Sequence, residues 1–354
     1  MERSLNFELL RIVAMFMVVM LHVNLFGGLL AGYDSQENPY SFLISHFFES
    51  LCIIAVNLYV MISGYFLSVS IHPFKIKKLL HIILITTFWS WFIGGSACVF
   101  LRANINDFIY NGIFPILSGR YWFVTNYVLI YFLSDYYNKV LQVLNKREHF
   151  LLILFLGLFF IITPILWDPV GMKNGYSLYW FSYLYIVASF IRKYNTSFNI
   201  KRLSFIWLFI LLLQVTMAYL LDRLSVNSNS VLLSYNSIFV FINTLCCFLL
   251  FKSFNITKGK TLIQFFSPLT FGIYLIHINP ATTSWIYKVV FPIKELADNS
   301  KFGIFLSLIG FTILVFIISA FCEFFRNRIF LILGIENKIY NFYQKIIVFI
   351  NKYF

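Results

Sequence analysis

Residues 9–30 read LLRIVAMFMVVMLHVNLFGGLL, an apolar run in which Arg11, His22 and Asn24 are the polar side chains. A helix needs about 20 apolar residues to cross the hydrocarbon core of a bilayer. The stretch therefore predicts a membrane-spanning helix that carries two ionisable side chains. Nine further runs qualify or nearly so: Phe42–Val69, Leu79–Leu101, Tyr121–Leu141, Phe150–Trp167, Ser177–Ile191, Leu203–Leu221, Val231–Phe251, Leu262–Trp285 and Phe302–Phe325.

The composition of the whole chain also favours a protein built into a membrane. Of its 354 residues, 60% are hydrophobic and 12% are charged, against about 45–50% and 25% in soluble domains. A soluble fold of this size cannot bury so many apolar side chains, and a disordered chain needs low hydrophobicity. The runs lack the alternating pattern of a membrane β-barrel. The predicted fold class is an all-α, polytopic bundle of about ten transmembrane helices.

The formal net charge of +13 is explained by orientation in the membrane. With the N-terminus in the cytoplasm, the segments on that side hold 19 Lys and Arg residues, and the opposite segments hold seven. This asymmetry follows the positive-inside rule and predicts that both termini are cytoplasmic. The partner that the charges indicate is the lipid bilayer rather than a nucleic acid, because the charges are sparse and lie between apolar runs. The sequence gives no oligomeric state.

The C-terminal segment has a different pattern. From Ile332 to Ile350, isoleucine and phenylalanine recur at helical spacing with charged residues between them. This pattern predicts an amphipathic helix in the cytoplasmic membrane interface, most simply an anchor. The chain therefore divides into a transmembrane domain, residues 1–328, and an interfacial helix, residues 329–354.

The first predicted span and its approach carry Glu8, Arg11 and His22. Arg11 and His22 are eleven residues apart, so at 100° per residue their side chains share one helix face, about 16 Å apart along the axis. Ionisable residues inside a membrane are costly and are candidates for a functional site. The structural alternative is a snorkelling arginine paired with Glu8, plus a histidine hydrogen-bonded within the bundle. A neutral histidine deep in a cavity can instead act as a general base on a hydroxyl.

The second predicted span ends with Ser63 and Gly64, and a basic loop with Lys75, Lys77 and Lys78 follows. Glycine at a helix end permits close backbone approach, and the serine leaves a hydroxyl available. The lysines fit either phosphate groups of a substrate or anionic lipid head groups, and composition alone favours the lipids.

Two later segments combine aromatic and polar residues. Residues 120–127 read RYWFVTNY, so Tyr121, Trp122 and Asn126 open the fourth span either as a membrane-interface belt or as a platform for a sugar ring. Residues 270–277 read TFGIYLIH, which places Tyr274 and a second histidine, His277, deep in the ninth span. None of the five cysteines has metal-ligand spacing with a histidine, and no metal is predicted.

Taken together, these segments resemble the integral-membrane acyltransferase-3 family, which includes bacterial O-acetyltransferases of capsules, O-antigens and exopolysaccharides. The resemblance covers about residues 4–325. It rests on the order of four motifs: Arg11 and His22 with ten residues between them, the Ser63–Gly64–Tyr65 end of the second span with its basic loop, the aromatic segment 121–131, and the stretch Phe271–His277.

The resemblance implies an acyl-CoA donor, usually acetyl-CoA, that approaches from the cytoplasm, and a polysaccharide or lipid-linked oligosaccharide acceptor at the bacterial cytoplasmic membrane. It also implies roles for the candidate residues. These are His22 as catalytic base with Arg11 and Glu8; Arg11, Ser63, Gly64, Lys75, Lys77 and Lys78 for the CoA donor; and Tyr121, Trp122, Asn126, Tyr274 and His277 for the acceptor.

Two other functions fit a polytopic chain with polar residues inside its spans. A transporter or flippase for lipid-linked sugars more often shows internal repeats or broken helices in two halves, which the sequence does not indicate. A polysaccharide polymerase tends to carry a large outer loop with arginine and histidine. The longest outer connection here, residues 102–120, has arginine only at its two ends and no histidine.

Overall fold

A computed structural model describes residues 4–69, 76–165, 167–168, 170–195, 198–226, 229–299 and 302–353. Within these residues the regular structure is helical, as predicted, and contains no strand. The α-helices are α1 Leu5–Phe26, α2 Pro39–Cys52, α3 Ala55–Leu67, α4 Ile76–Phe100, α5 Ile105–Asp107, α6 Trp122–Val143, α7 Lys146–Gly157, α8 Leu178–Lys193, α9 Ile200–Arg223, α10 Asn229–Leu232, α11 Ile238–Ser253, α12 Lys260–Phe266, α13 Thr270–His277, α14 Thr283–Trp285, α15 Ile293–Asp298, α16 Gly303–Leu333 and α17 Ile335–Tyr353. Single turns of π-helix follow α5, α7 and α14.

Each of the ten predicted runs contains helix, and six segments of the described chain are long and apolar enough to cross a membrane: Leu5–Phe26, Pro39–Leu67, Ile76–Phe100, Lys146–Ile165, Ile200–Arg223 and Gly303–Leu333. The chain is therefore a multi-pass membrane protein. The total of ten spans, the cytoplasmic termini and the interfacial position of α17 stay predictions. The helix before α17 runs on to Leu333, where Gly334 adopts a left-handed conformation (φ 60°) and separates the two.

Local sequence explains where several helices begin and where one is interrupted. Asn145 caps α7, and the side chain of Glu148 completes a capping box with it. Asn199 caps α9 in a similar way. The ninth predicted run is not one continuous helix, because a 3-10 turn, Ser267–Leu269, separates α12 from α13. Pro268 lies in that turn, and proline has no backbone N–H to continue a helical ladder.

Helix α1 lies inside the bundle, where it contacts α2, α3, α11, α12, α13 and α16. This position explains why apolar residues surround most of α1, since a helix that is hydrophobic nearly all round is a buried helix. Helices α3 and α8 approach closely at Gly64, where a Cβ atom would lie 3.0 Å from the Cα of Tyr185. By contrast, α9 presents exposed side chains such as Phe205 and Phe209, as a lipid-facing surface requires.

A buried ion pair fixes the short helix α13 against α4 and α16. Glu323 and Arg326, one turn apart on α16, pair with each other and are almost fully buried. The indole N–H of Trp89 donates to the same carboxylate at 2.8 Å. The Glu323 carboxylate occupies the space where a side chain on Gly272 would begin, so a glycine is required at this point of α13. These contacts position the helix that ends at His277.

Candidate functional site

A cavity of about 580 Å³ lies between α1, α3, α4, α6 and the interrupted helix α12–α13. Its size is typical of small-molecule sites, which span about 300–1,000 Å³. Seven of the predicted site residues line it: Arg11, His22, Ser63, Lys78, Tyr121, Trp122 and Tyr274. Residues from five separate parts of the chain therefore share one concave surface.

The two predicted histidines form a hydrogen-bonded pair at this cavity. The Nδ1 atom of His22 lies 2.8 Å from Nε2 of His277, and Nδ1 of His277 lies 2.6 Å from the backbone oxygen of Ile273. A carbonyl oxygen only accepts, so His277 donates from Nδ1, and in its neutral form it accepts at Nε2. His22 must then donate from Nδ1. Its Nε2 is left with a lone pair on the residue that lines the cavity, which is the tautomer that a general base needs.

His277 thus orients His22 and can stabilise its protonated form, much as the buried partner of a catalytic histidine does in serine proteases. His277 itself is 1% exposed and does not line the cavity. In this geometry its contact is with His22, whereas the resemblance implies a place at the acceptor.

Arg11 is held at the cavity by a network that begins with Glu8. Its Nη1 donates to the Glu8 carboxylate at 2.7 Å, and the hydroxyl of Ser267 donates to the other oxygen of that carboxylate. The hydroxyl of Tyr59 donates to the Arg11 backbone oxygen at 2.7 Å. The Arg11 side chain stays 32% exposed, whereas that of Glu8 is 8% exposed. Glu8 therefore pairs with Arg11 from a position outside the cavity lining, and the charged side chain of Arg11 lines the cavity.

Lys78 and Ser63 lie at the same end of the cavity as Arg11, which we call the Arg11 end. The Ser63 hydroxyl donates to the Tyr127 hydroxyl at 3.3 Å, and the Lys78 ammonium lies 5.3 Å from the ring centre of Tyr131. Lys78 and Ser63 both line the cavity. The cations Arg11 and Lys78 and the hydroxyl groups of Ser63 and Tyr127 therefore lie together at this end.

Two residues predicted for the CoA donor, Lys77 and Gly64, do not line the cavity. Lys77 is exposed, with its ammonium 5.6 Å from the ring centre of Tyr340 on α17. Gly64 serves the close approach of α3 and α8 rather than the cavity wall. Lys75 lies outside the described residues.

The opposite end of the cavity, which we call the Arg120 end, is aromatic. The hydroxyl of Tyr121 accepts from the side-chain amide of Asn279 at 2.9 Å and donates to the backbone oxygen of Leu275 at 3.3 Å. The ring of Trp122 lies 4.4 Å, centre to centre, from the ring of Tyr176. The predicted residue Asn126 is half-buried and does not line the cavity. Aromatic faces of this kind are suited to sugar rings.

Helix α4 runs from the Arg11 end of the cavity towards the Arg120 end. Lys78 lies in its first turn, whereas Ser90, twelve residues later, donates to the backbone oxygen of Gly112 in the segment that leads to Arg120. Twelve residues of helix span about 18 Å. Among the described residues, no group of three or more His, Cys, Asp or Glu side chains is arranged to hold a metal ion.

A family model described as an acyltransferase domain, that of the acyltransferase-3 family, matches residues 4–324. The chain belongs to this family. No curated protein and no solved structure matches the chain. The matched region of this membrane acyltransferase runs from the start of α1 into α16 and so includes every residue that lines the cavity.

Sequence reasoning on this acyltransferase did not assign several residues that line the Arg11 end, among them Tyr59 and His81. Tyr59 lies four residues before Ser63, and His81 lies three residues after Lys78. Residues three or four apart share a helix face, so both follow from residues already assigned. The His22–His277 contact had no such signal, because 255 positions separate the two residues in sequence.

Proposed function

We propose that this acyltransferase transfers an acetyl group from cytoplasmic acetyl-CoA to a hydroxyl of a cell-surface polysaccharide or of its lipid-linked oligosaccharide precursor, in the bacterial inner membrane. The observation that carries the proposal is the fixed tautomer of His22. A neutral histidine with its free Nε2 lone pair at a cavity is a base for a hydroxyl. Family membership favours this reading over a transporter or a polymerase.

The Arg11 end of the cavity suits the donor. Arg11 and Lys78 line it, and guanidinium and ammonium groups bind phosphate oxygens. Arg11 and His22 are separated by about 16 Å along α1, given 1.5 Å per residue. The charged head of CoA can therefore stay at this end while its pantetheine arm extends along the cavity and brings the thioester towards His22.

The Arg120 end suits the acceptor. Tyr121, Trp122 and Tyr274 present aromatic surfaces there, and the ring centre of Tyr274 lies 6.2 Å from that of His277. A sugar ring that stacks on these surfaces can place one hydroxyl near Nε2 of His22. Binding both substrates in one cavity converts a bimolecular step into an effectively unimolecular one.

The transfer step uses the two states of His22. Nε2 accepts the proton of the acceptor hydroxyl as the oxygen forms a bond with the thioester carbonyl carbon. When the C–S bond breaks, the CoA thiolate leaves and takes the proton from the His22 imidazolium, which restores the neutral histidine. During this cycle the Nδ1–H of His22 remains bonded to His277, so charge develops on a ring whose orientation is already set.

The decisive experiment replaces the base. We expect His22→Ala to abolish acetylation of surface polysaccharide, measured by mass spectrometry of glycan from cells that lack the gene and carry the variant on a plasmid. The matched control is His149→Gln. His149 is a buried histidine that contacts Ile186 and Ser189 on α8, and none of these three residues lines the cavity. Protein level is checked by immunoblot.

Two outcomes would alter the proposal. Unchanged acetylation in His22→Ala removes His22 from the chemistry. A mass increase of one acetyl group on His22, found after incubation of the purified chain with acetyl-CoA alone, replaces direct transfer with an acyl-histidine intermediate.

A further inference from the structure

Arg120 is a buried cation whose hydrogen bonds are incomplete. Its side chain is 2% exposed and lines the cavity. Nη1 donates to Oδ2 of Asp107 at 2.7 Å, but among the described residues no group accepts from Nε or Nη2, and both atoms are buried. A guanidinium has five N–H donors, so most of its donor capacity is unused here.

The partner carboxylate does not compensate for this. Asp107 is 44% exposed and also accepts from the side-chain amide of Asn111 at 2.8 Å. The hydrogen bond from Arg120 holds the pKa of the Asp107 carboxyl below its ordinary value, so the carboxylate is charged, but it is shared with water. Burying a charged donor without a partner is costly, and such a group is stabilised when an acceptor of opposite charge arrives.

The geometry of the unused N–H donors indicates the shape of the hydrogen-bond acceptor that would pair with them. Nε and Nη2 form one edge of the planar guanidinium, on which two N–H bonds point in parallel. This edge matches two oxygens of a carboxylate or a phosphate, which arginine binds in a bidentate manner.

The charges around the cavity support the same reading. Among its lining residues as described, Arg11, Lys78 and Arg120 are cationic and none is acidic. Arg11 is paired with Glu8, and both Arg11 and Lys78 lie at the end proposed for the donor. Arg120 lies at the other end, immediately before the aromatic residues Tyr121 and Trp122.

We infer that Arg120 binds an anionic group of the acceptor, either the carboxylate of an acidic sugar or the phosphate of a glycosyl phosphate, while the sugar ring stacks on the neighbouring aromatic side chains. This inference rests on the proposed function, since it names the substrate class for the acceptor end. Arg120 is then the residue that distinguishes an acidic acceptor from a neutral one.

The test measures binding to the purified full chain in detergent, without acetyl-CoA. The probes are methyl β-D-glucuronide, glucose 1-phosphate and the neutral methyl β-D-glucoside. Binding of each probe is measured by calorimetric titration. We expect at least one charged probe to bind tenfold or more tightly than the neutral probe. Preference for the glucuronide identifies an acidic sugar, and preference for glucose 1-phosphate identifies a phosphate.

Three variants test the role of the guanidinium. Arg120→Gln should remove the preference for the charged probe, and Arg120→Lys should weaken it, because a lysine keeps the charge but lacks the two-donor edge. Asp107→Asn should tighten binding of the charged probe, since it removes the competing carboxylate from an exposed position. The matched control, Arg102→Gln, removes an exposed arginine from the same outer segment and should leave binding unchanged.

The inference is overturned if wild-type protein binds charged and neutral probes equally, or if Arg120→Gln keeps the preference. Asp107→Asn gives an independent answer should Arg120→Gln fold poorly, because weaker or equal binding of the charged probe by that variant also contradicts the inference. Binding is measured without acyl transfer. A failure of the proposed catalytic function is therefore detected separately, as loss of acetylation with anion binding intact.

Discussion

The hydrogen bond from His22 to His277 makes a quantitative prediction about catalysis. When Nε2 of His22 takes a proton, the donor at Nδ1 becomes part of an imidazolium, and its bond to His277, 2.8 Å long, becomes charge-assisted. Hydrogen bonds to charged groups contribute about 1.5–3 kcal/mol. At about 1.36 kcal/mol per factor of ten in rate, His277→Leu should lower kcat by about 10- to 160-fold.

The comparison variant is His277→Gln, whose amide oxygen can accept from Nδ1 of His22 at about the place of the lost Nε2. We expect it to stay within tenfold of the wild-type kcat. The assay measures release of the CoA thiol by the purified chain at saturating acetyl-CoA, with polysaccharide from cells lacking the gene as acceptor. An unchanged kcat in His277→Leu would refute the reasoning. So would an equal loss in both variants, because that result indicates a packing role instead of an acceptor role.

Three further predictions concern donor binding, packing and pH. Lys78→Gln should raise the KM for acetyl-CoA about tenfold, because a charged hydrogen bond to a CoA phosphate is lost. Lys77→Gln should leave the KM unchanged. Equal KM values for the two variants in steady-state kinetics would mean that the CoA phosphates bind outside the cavity. Gly64→Val should destabilise the fold by about 1–3 kcal/mol through overpacking, seen as a lower thermal midpoint, whereas Gly310→Val, whose added carbon meets open space, should not; equal midpoints would contradict this. The pKa of Asp107 in the folded protein is lowered from the ordinary aspartate value of about 3.9. Its ion pair with Arg120 therefore contributes its full stability above that ordinary value, and this stability is lost as the pH falls through the lowered pKa. The difference in thermal midpoint between wild type and Asp107→Asn should therefore shrink as the pH falls below the ordinary carboxyl range, and a difference that does not change with pH would rule this out.

Much of the fold was predictable because it depends on local pattern. Apolar runs about 20 residues long identified the helical segments, and the eleven-residue spacing of Arg11 and His22 predicted a shared face, where the structure places both in one cavity. The interruption at Pro268 was also readable, since proline stops a helical ladder, but the run Leu262–Trp285 was interpreted as continuous.

The remaining features depend on contacts between distant parts of the chain. Nothing in the local pattern of α13 indicates that Gly272 faces Glu323, or that His277 accepts from His22. Arg120 is equally hidden from sequence reasoning, because its neighbours in sequence are those of an ordinary membrane-interface arginine. Only its burial and its unused N–H donors distinguish it. Helical periodicity specifies which residues share a face, but not which helix that face meets.

The charge of the cavity wall also has a consequence for the membrane itself. A polar cavity inside a membrane protein can conduct protons and metal cations across the bilayer if its lining attracts them. Here the described lining combines Arg11, Lys78 and Arg120 with bulky aromatic rings and contains no carboxylate to attract a cation. We expect the positive potential of these side chains to repel protons and potassium ions while the rings restrict water, so that the cavity does not conduct cations across the membrane.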